Sequence, residues 1–378
     1  MSPCHHRSGL AGYTLLKEIR KRDTSTPVML ITADDGAFYS KPNLSNALTA
    51  GKPAAALASA SAEKMAADLD DAKILSHTRV TAIDTQAQRI RTADAELVYS
   101  KLVLALGADP FAHGLVGSGA ADVLTVNDLA DYAAFRRAID GKKHVTVLGG
   151  GLIGCEFAND LAHAGFAVDV VHLGDWPLER LLPVEAGRRL ADSLAAIGVN
   201  WHFGRSGKSI ERTAAGYQVT LDNGDTVAAD VVLSAIGLKP RTQLAQAAGI
   251  PVNRGIVTNS LLETGAANVY AMGDCAEVDG LNLPYVQPLM VQARALVATL
   301  SGTPTAVAYP PMQVMVKTPA HPVAVLPPKI GATGGWQVEC GDTGICALHL
   351  DERGRMQGFA LTGSETSRRN TLTKELAA

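Results

Sequence analysis

Redox-active cysteine spacing is missing from this sequence of 378 residues. The five cysteines, Cys4, Cys155, Cys275, Cys340 and Cys346, are scattered and form no CxxC or CxxxxC pair and no metal-ligand spacing. Cys340 and Cys346 are close enough in sequence to pair, but the pattern favours reduced thiols. The sequence therefore predicts no metal site and no enzyme that exchanges electrons through a dithiol.

Long hydrophobic runs and a strong charge of either sign are also missing. No uncharged apolar run approaches the roughly 20 residues that a membrane span needs, and residues 1–9 contain no hydrophobic signal segment. The net charge of -3 argues against nucleic acid as a partner. With 47% hydrophobic residues, the composition predicts a globular, cytoplasmic protein that binds neither membrane nor nucleic acid. Its length predicts two or three domains.

The most informative stretch is residues 144–172, HVTVLGGGLIGCEFANDLAHAGFAVDVVH. It predicts a strand, a glycine turn, a helix over 152–164 and a second strand. Gly149, Gly151 and Gly154 have GxGxxG spacing, which suits a tight turn, close approach of a pyrophosphate and helix–strand packing. The alternative is an ordinary strand–helix turn in an α/β core, but the flanking strands favour dinucleotide binding.

A second, incomplete fingerprint lies near the start of the chain. Gly9 and Gly12 in GLAG precede a predicted helix over 13–22 and a strand over 28–32. Where an apolar strand and a first glycine are expected, the sequence has Cys4, His5, His6 and Arg7. Arginine adopts the backbone conformation of this turn only at a cost in free energy, and its side chain would occupy the space that phosphate needs.

We consider two explanations for this segment. Residues 3–7 can be encoded by codons that, when read one base later, give Arg-Val-Ile-Ile-Gly. One hypothesis is therefore that this segment results from a shift of the reading frame. Sequencing the gene tests it, because codons that cannot yield Val-Ile-Ile would exclude it. The alternative is a genuine His/Cys cluster, but adjacent Cys4, His5 and His6 lack ligand spacing.

Several polar residues follow predicted strands. Asp34 lies just past the strand over 28–32 and can bind a ribose hydroxyl or simply cap a turn. Asp274 ends the strand predicted over 268–272, where ligands gather in open α/β sheets, although a helix-capping role is the alternative. A helix over 288–300 is predicted to begin with Pro288 at its first position.

The rest of the pattern suggests an internal duplication. Residues 77–106 predict a three-stranded meander followed by a buried parallel strand. A similar arrangement recurs over 217–240, with a hairpin turn at 222–225. The tail from residue 309 predicts a small sheet and a final helix over 366–376.

The order of these motifs resembles that of the FAD-dependent pyridine nucleotide-disulfide oxidoreductases. The resemblance covers nearly the whole chain from Gly9 onward, through GLAGY, YSKPNLS, LGGGLIGCEFANDL, NVYAMGDCAEVDG and VKTPAHP. It implies an α/β fold with two Rossmann-like dinucleotide-binding domains, for FAD and NADH, plus a small α+β C-terminal domain. The implied boundaries are 1–110 with 240–308 for FAD, 111–239 for NADH, and 309–378 for the last domain.

The same resemblance implies a set of cofactor-binding residues. These are Gly9, Gly12, Asp34 and Asp274 on FAD, then Gly149, Gly151 and Gly154 on the NADH pyrophosphate, and further Lys41, Pro42, Val80, Glu156, Pro288 and Lys317. Lys41 and Glu156 would form an ion pair beside the flavin and nicotinamide and act as the catalytic residues. Lys317 would lie near the pyrimidine side of the flavin.

The implied activity is electron transfer from NADH through FAD to rubredoxin or a similar small acidic iron protein, one electron at a time. A ferredoxin-type acceptor and direct reduction of oxygen, as in an NADH oxidase, are alternatives. If the altered segment from Cys4 to Arg7 prevents FAD binding, a further alternative is that the chain is a non-catalytic nucleotide-binding protein.

NADH rather than NADPH is favoured by the resemblance alone. The strand end at His172 lacks the carboxylate that often binds the adenosine ribose, and Asp169 and Asp175 are displaced from it. Arg180 would meet a 2′-phosphate only if its loop folded back.

Overall fold

The computed structural model describes residues 9–70 and 72–377, and their contacts divide the chain into two units. The first contains the described part of Met1–Lys41 together with Ala58–Asp109 and Leu238–Tyr309. The second contains Pro42–Leu57, Pro110–Gly237 and Pro310–Ala378, again where described. The division into three domains stays a prediction. The predictions on Cys4 to Arg7 lie outside the described residues.

The first unit combines short strands, of three residues at most, with helices that supply much of its core. Its helices are Leu10–Arg20, Ala62–Asp68, Gln243–Ala247 and Val286–Leu300, with a 3-10 turn at Gly273–Cys275. Its strands are Met29–Ile31, Phe38–Tyr39, Ala58–Ala60, Lys73–Leu75, Ala82–Asp84, Arg89–Arg91, Glu96–Val98, Leu102–Leu104, Ala108–Pro110, Leu238–Pro240, Ile256–Thr258, Val269–Ala271 and Ala276–Val278. A 3-10 helix at Lys41–Asn46 leads into the second unit.

The predicted meander is confirmed, since strands 82–84, 89–91 and 96–98 pair antiparallel in that order. The parallel strand after it is also confirmed, because Leu102–Leu104 pairs in parallel with Val269–Ala271, although only Leu104 of this strand is fully buried. One prediction is wrong. The last helix of this unit begins at Val286 with Tyr285 as its N-cap, so Pro288 is its third residue. Proline is tolerated there because N–H groups in the first turn have no partner within the helix.

The second unit is built on a four-stranded parallel sheet. The strand order is Val199–Phe203, Ala167–His172, His144–Leu148 and Val231–Ser234. Val145, Val147 and Val170 have no exposed surface, as expected for a parallel sheet covered on both faces. The predicted strand–turn–helix–strand unit is confirmed, with its helix at Leu152–His163.

Two antiparallel sheets complete this unit. Strands 207–213, 216–221 and 226–229 form a meander, and Gly224 in the predicted hairpin turn has φ +91°. The tail forms a five-stranded sheet whose order is Val314–Val316, Val323–Leu326, Met356–Thr362, Ile345–Leu350 and Gly335–Cys340. The helices of the unit are Ala54–Leu57, Leu129–Ala138, Leu152–His163, Val184–Ala195 and Arg369–Ala377, with 3-10 turns at Ala120–Asp122 and Gly363–Arg368.

None of the helices in the described part of the chain combines the length and the apolar character that crossing a bilayer requires.

A polar cluster on the parallel sheet makes the second unit sensitive to acid. Asp169 is 7% exposed and accepts hydrogen bonds from His144, from His202 at 2.6 Å and from Asn200 at 2.6 Å. Burial alone would raise the pKa of the Asp169 carboxyl, but these hydrogen bonds outweigh burial and hold the pKa below its usual value. The charged carboxylate is therefore stabilised in the folded state.

We expect Asp169→Asn to remove a pH-dependent part of the stability. A carboxyl whose pKa is lowered on folding contributes stability above its unfolded pKa of about 3.9, and this contribution disappears as the pH falls through the lower folded pKa. Urea unfolding should show that the variant is less stable at pH 6 by about 2 kcal/mol and that the difference shrinks below about pH 4. Asp192→Asn, at an exposed position, is the control. If the difference in the free energy of unfolding between Asp169→Asn and the unaltered chain stayed constant as the pH fell below about 4, this account would be contradicted.

Candidate functional site

The glycine turn of the second unit reverses the chain at Gly149. Its φ is +104°, and a Cβ there would lie 2.7 Å from the carbonyl oxygen of Ala235. The Gly149 N–H donates a hydrogen bond of 2.8 Å to the oxygen of Val171, which ties the turn to the neighbouring strand. Both the backbone conformation and the close approach therefore require glycine.

Gly154 and Gly151 have different surroundings. A Cβ on Gly154 would lie 1.8 Å from the Gly149 oxygen, so this glycine lets the helix lie against the turn. Around Gly151 the position of a Cβ has no heavy atom of the described chain within 4 Å. Gly151 is the N-cap of helix Leu152–His163, and no described side chain caps it. Open space beside the first-turn N–H groups, which have no partner within the helix, fits a pyrophosphate.

The helix that follows the turn carries a buried polar face. Glu156, Asn159 and Asp160 lie three and four residues apart and are at most 3% exposed. The Asp160 carboxylate accepts hydrogen bonds from the N–H groups of Leu48 at 2.9 Å and Thr49 at 3.0 Å. The Asn159 side-chain oxygen accepts one of 3.1 Å from the Ala320 N–H. This face therefore anchors two distant segments of the chain.

Glu156 occupies the centre of that face. One carboxylate oxygen accepts the backbone N–H of Lys317 at 2.9 Å. The other lies 2.7 Å from the Lys317 ammonium and also accepts the Ser45 hydroxyl. The same ammonium donates to the carbonyl oxygen of Pro42 and, at 3.2 Å, to Ser45. We call Ser45, Glu156 and Lys317 the Glu156 cluster.

The Glu156 cluster adds Lys317 to the surroundings of Glu156, a contact that the sequence analysis did not predict. The resemblance implied an ion pair between Lys41 and Glu156, and that pair stays a prediction. The Lys317 backbone N–H and ammonium bind opposite oxygens of the Glu156 carboxylate and so fix its orientation. The cofactor-binding roles of Lys41, Pro42, Glu156 and Lys317 stay predictions.

The buried thiols near both motifs are unreactive. Burial raises the pKa of the Cys155 thiol well above its usual value, and burial raises the pKa of Cys275 to about 11. All four described cysteines, Cys155, Cys275, Cys340 and Cys346, are unpaired. The reactive form of a thiol is the thiolate, so the thiols that lie beside the nucleotide motifs are poor redox groups.

His172 braces the glycine turn from the end of its strand. Its Nδ1 accepts the Gly150 N–H at 3.1 Å, and its Nε2 lies 3.1 Å from the Trp176 carbonyl oxygen. Because one nitrogen accepts and the other donates, the ring is assigned as neutral. Burial also lowers the pKa of His172. The histidine at this strand end therefore has a structural role that the sequence analysis missed.

In the first unit, helix Leu10–Arg20 begins after Gly9, and no described side chain caps it. A Cβ on Gly12 would lie 3.2 Å from a Leu30 methyl, so Gly12 allows the helix to pack on the strand. Gly273 has φ +74° and approaches Ala11, where a Cβ on Gly273 would lie 3.0 Å from the alanine methyl. The turn that carries Asp274 therefore lies beside the N-terminus of this helix.

The other predicted residues of the first unit are dispersed around its core. One Asp34 oxygen accepts the Thr32 hydroxyl at 2.6 Å and the Gly36 N–H at 3.0 Å, so Asp34 also closes its own turn. Val80 is half-buried against the core. Pro288 lies in the first turn of a helix that no described side chain caps. Two helix N-termini without a side-chain cap among the described residues, and a carboxylate beside one of them, fit a dinucleotide such as FAD.

Sequence reasoning missed Ser45, Asp160 and the bracing role of His172. A signal for Asp160 was available, because Glu156, Asn159 and Asp160 lie on one face of an otherwise apolar helix. Polar residues at such spacing in a buried helix require partners. Nothing local identifies Ser45 as one of those partners.

The comparison with family models now defines the class of protein. Residues 8–299 match the model described as pyridine nucleotide-disulphide oxidoreductase, and the chain belongs to this family. Residues 306–376 match the model of a rubredoxin binding C-terminal domain. The predicted family and α/β fold class are confirmed, and the chain is an oxidoreductase.

Individual relatives narrow the similarity further. The chain is 48% identical to a rubredoxin-NAD(+) reductase of Alcanivorax borkumensis, over 98% of this chain and 97% of that protein. It is 46% identical to a rubredoxin-NAD(+) reductase of Acinetobacter baylyi, over 97% and 95%. Among solved structures, a ferredoxin reductase from Rhodopseudomonas palustris matches with a TM-score of 0.88 and 25% identity, covering 99% of this chain and 94% of that one.

Proposed function

We propose that this oxidoreductase transfers electrons from NADH through bound FAD to rubredoxin, one electron at a time. The observation that carries the proposal is the 48% identity to a rubredoxin-NAD(+) reductase over nearly the full length of both chains. This similarity extends through residues 306–376, which match the rubredoxin-binding domain. The family and these relatives thus confirm the predicted activity, cofactors and partner.

The residues of the second unit suit the NADH half of this reaction. Gly151 leaves space for a pyrophosphate beside the N-terminus of helix Leu152–His163. The positive end of the helix dipole attracts the phosphates, and the free N–H groups donate to them. Further along the same helix, the Glu156 cluster fixes the segments at 42–45 and 317. We assign Glu156 and Lys317 the role of positioning these segments.

Bound FAD would supply the conversion between the two-electron chemistry of NADH and the one-electron chemistry of rubredoxin. In the first unit, Gly9, Gly12 and Asp274 are the proposed contacts to it, beside the N-terminus of helix Leu10–Arg20. Asp34, Val80 and Pro288 complete the proposed set. Cys155 and Cys275 are buried, and neither they nor the other described cysteines are paired, which supports a path through the flavin without a dithiol.

The proposed location is the cytoplasm. The unpaired state of Cys155, Cys275, Cys340 and Cys346 supports it, since free thiols persist in reducing compartments.

The experiment that tests the function begins with the colour of the purified chain. We expect flavin absorbance that NADH bleaches, followed by steady reduction of purified rubredoxin. The same assay with a ferredoxin as acceptor, and with oxygen alone, separates the two alternative reductase activities. Protein that is colourless and takes up no FAD would contradict the proposal and favour a non-catalytic nucleotide-binding protein.

Lys41→Met tests the proposed role of Lys41 beside the flavin. An ammonium near the flavin would stabilise the negative charge that hydride transfer brings, so its removal should slow NADH-dependent bleaching about tenfold, or ~1.4 kcal/mol in activation free energy. Stopped-flow absorbance measures this rate. Lys52→Met, which removes an exposed lysine, is the control. An unchanged bleaching rate in Lys41→Met would remove Lys41 from the mechanism.

A further inference from the structure

A dinucleotide-binding fold commonly places a carboxylate at the end of its second strand, where the carboxylate binds the adenosine ribose. Here strand Ala167–His172 ends in a histidine whose two ring nitrogens bind the Gly150 N–H and the Trp176 oxygen. The imidazole is therefore fully used inside the protein. Any recognition of the ribose must come from another residue.

The loop after this strand folds back onto the glycine turn. The Leu178 N–H donates a hydrogen bond of 3.0 Å to the Gly150 oxygen, and the Leu178 side chain is 4% exposed. Leu178 has φ +58°, a conformation that a bulky residue adopts only where its surroundings enforce it. The position of the next residue, Glu179, is therefore set by the fold.

Glu179 brings a carboxylate back to the strand end. A Cβ on Gly174 would lie 1.8 Å from Glu179 Oε2 and 2.6 Å from Oε1, so the carboxylate occupies space that only glycine leaves. Gly174 lies two residues beyond His172, and its oxygen accepts the Gly204 N–H at 3.0 Å. The carboxylate thus lies over fixed backbone at the carboxyl end of the sheet, on an exposed residue.

We propose that Glu179 binds the adenosine ribose hydroxyls and gives the chain its preference for NADH over NADPH. The inference rests on the proposed use of NADH. A carboxylate accepts hydrogen bonds from the two ribose hydroxyls of NADH, whereas the 2′-phosphate of NADPH would bring like charges together. Glu179 would therefore both attract one dinucleotide and repel the other.

Binding of ADP-ribose and of 2′-phospho-ADP-ribose to the whole chain, measured by calorimetry, tests the assignment. Neither probe carries nicotinamide, so the result does not depend on electron transfer and separates this inference from the proposed function. We expect Glu179→Gln to weaken ADP-ribose binding about tenfold. The ratio of the affinity for ADP-ribose to the affinity for 2′-phospho-ADP-ribose should also fall. In steady-state assays the ratio of kcat/KM for NADH to that for NADPH should fall likewise.

Two further variants keep the test specific. Asp175→Asn removes a charge from the same loop and should leave both affinities unchanged. Gly174→Ala keeps the charge of Glu179 but displaces its carboxylate, and should reproduce the loss seen in Glu179→Gln. Unchanged ADP-ribose binding in Glu179→Gln, an equal loss in Asp175→Asn, or tighter binding of the phosphorylated probe to the unaltered chain, as neighbouring Arg180 would produce, each overturns the proposal.

Discussion

Replacing Gly154 by alanine should destabilise the second unit by about 3 kcal/mol, close to the upper end of the cost of overpacking. Alanine would favour the helix by about 1 kcal/mol through propensity alone. Its Cβ, however, would lie 1.8 Å from the Gly149 carbonyl oxygen, a backbone atom that cannot rotate away. Steric repulsion therefore exceeds the gain in propensity. Thermal or urea unfolding measures the loss, and NADH binding should fall with it because the turn is displaced.

Gly151→Ala is the matched control three residues earlier. The φ of Gly151 is -77° and ψ is -169°, which alanine adopts without strain, and its Cβ would meet no heavy atom of the described chain within 4 Å. We expect a stability change of about 1 kcal/mol or less, the usual cost of alanine at an N-cap. NADH affinity should nevertheless fall at least about tenfold, since the methyl group enters the space proposed for the pyrophosphate. Equal stability losses in the two variants would contradict these separate roles.

The sequence predicted well those features that depend on nearby residues. The glycine turn, the helix that starts at Leu152 and the hairpin at 222–225 all follow from local backbone preferences and hydrophobic periodicity. Helix ends were less accurate, as at Pro288, where the residue suits any position in the first turn and so does not fix the boundary. The predicted helix over 13–22 likewise begins earlier, at Leu10.

Partnerships between distant residues were not predictable in the same way. Glu156 and Lys317 are separated by 161 positions, and Asp160 and Leu48 by 112. Their pairing depends on how the tail and the segment after Lys41 are routed past the helix, which no local pattern encodes. The resemblance singled out Glu156 but gave no sign of its contact with Lys317, because that contact depends on the route of the tail. The sequence likewise did not predict that the loop at Leu178 folds back onto the glycine turn.

Lys317→Met should be the most damaging change in the Glu156 cluster, at about 3 kcal/mol. Glu156 has no exposed surface, whereas the Lys317 side chain is 36% exposed. Removing the lysine leaves a fully buried carboxylate without the Lys317 ammonium, which is more costly than leaving a partly hydrated ammonium unpaired. Urea unfolding at neutral pH measures the loss, and Lys329→Met, at an exposed position, should behave as the unaltered chain.

The neutral replacement Glu156→Gln then distinguishes charge from packing. On its own it keeps an oxygen for the Lys317 N–H but loses the ion pair, so we expect a smaller loss of about 1–2 kcal/mol. Combined with Lys317→Met, it removes the stranded charge, and the double variant should be more stable than Lys317→Met alone. If the stability losses of the two single variants simply add in the double variant, Glu156 and Lys317 act independently. The charges of these two residues would then not hold the 42–45 and 317–320 segments. A partial recovery would instead show that the buried carboxylate makes the lysine indispensable.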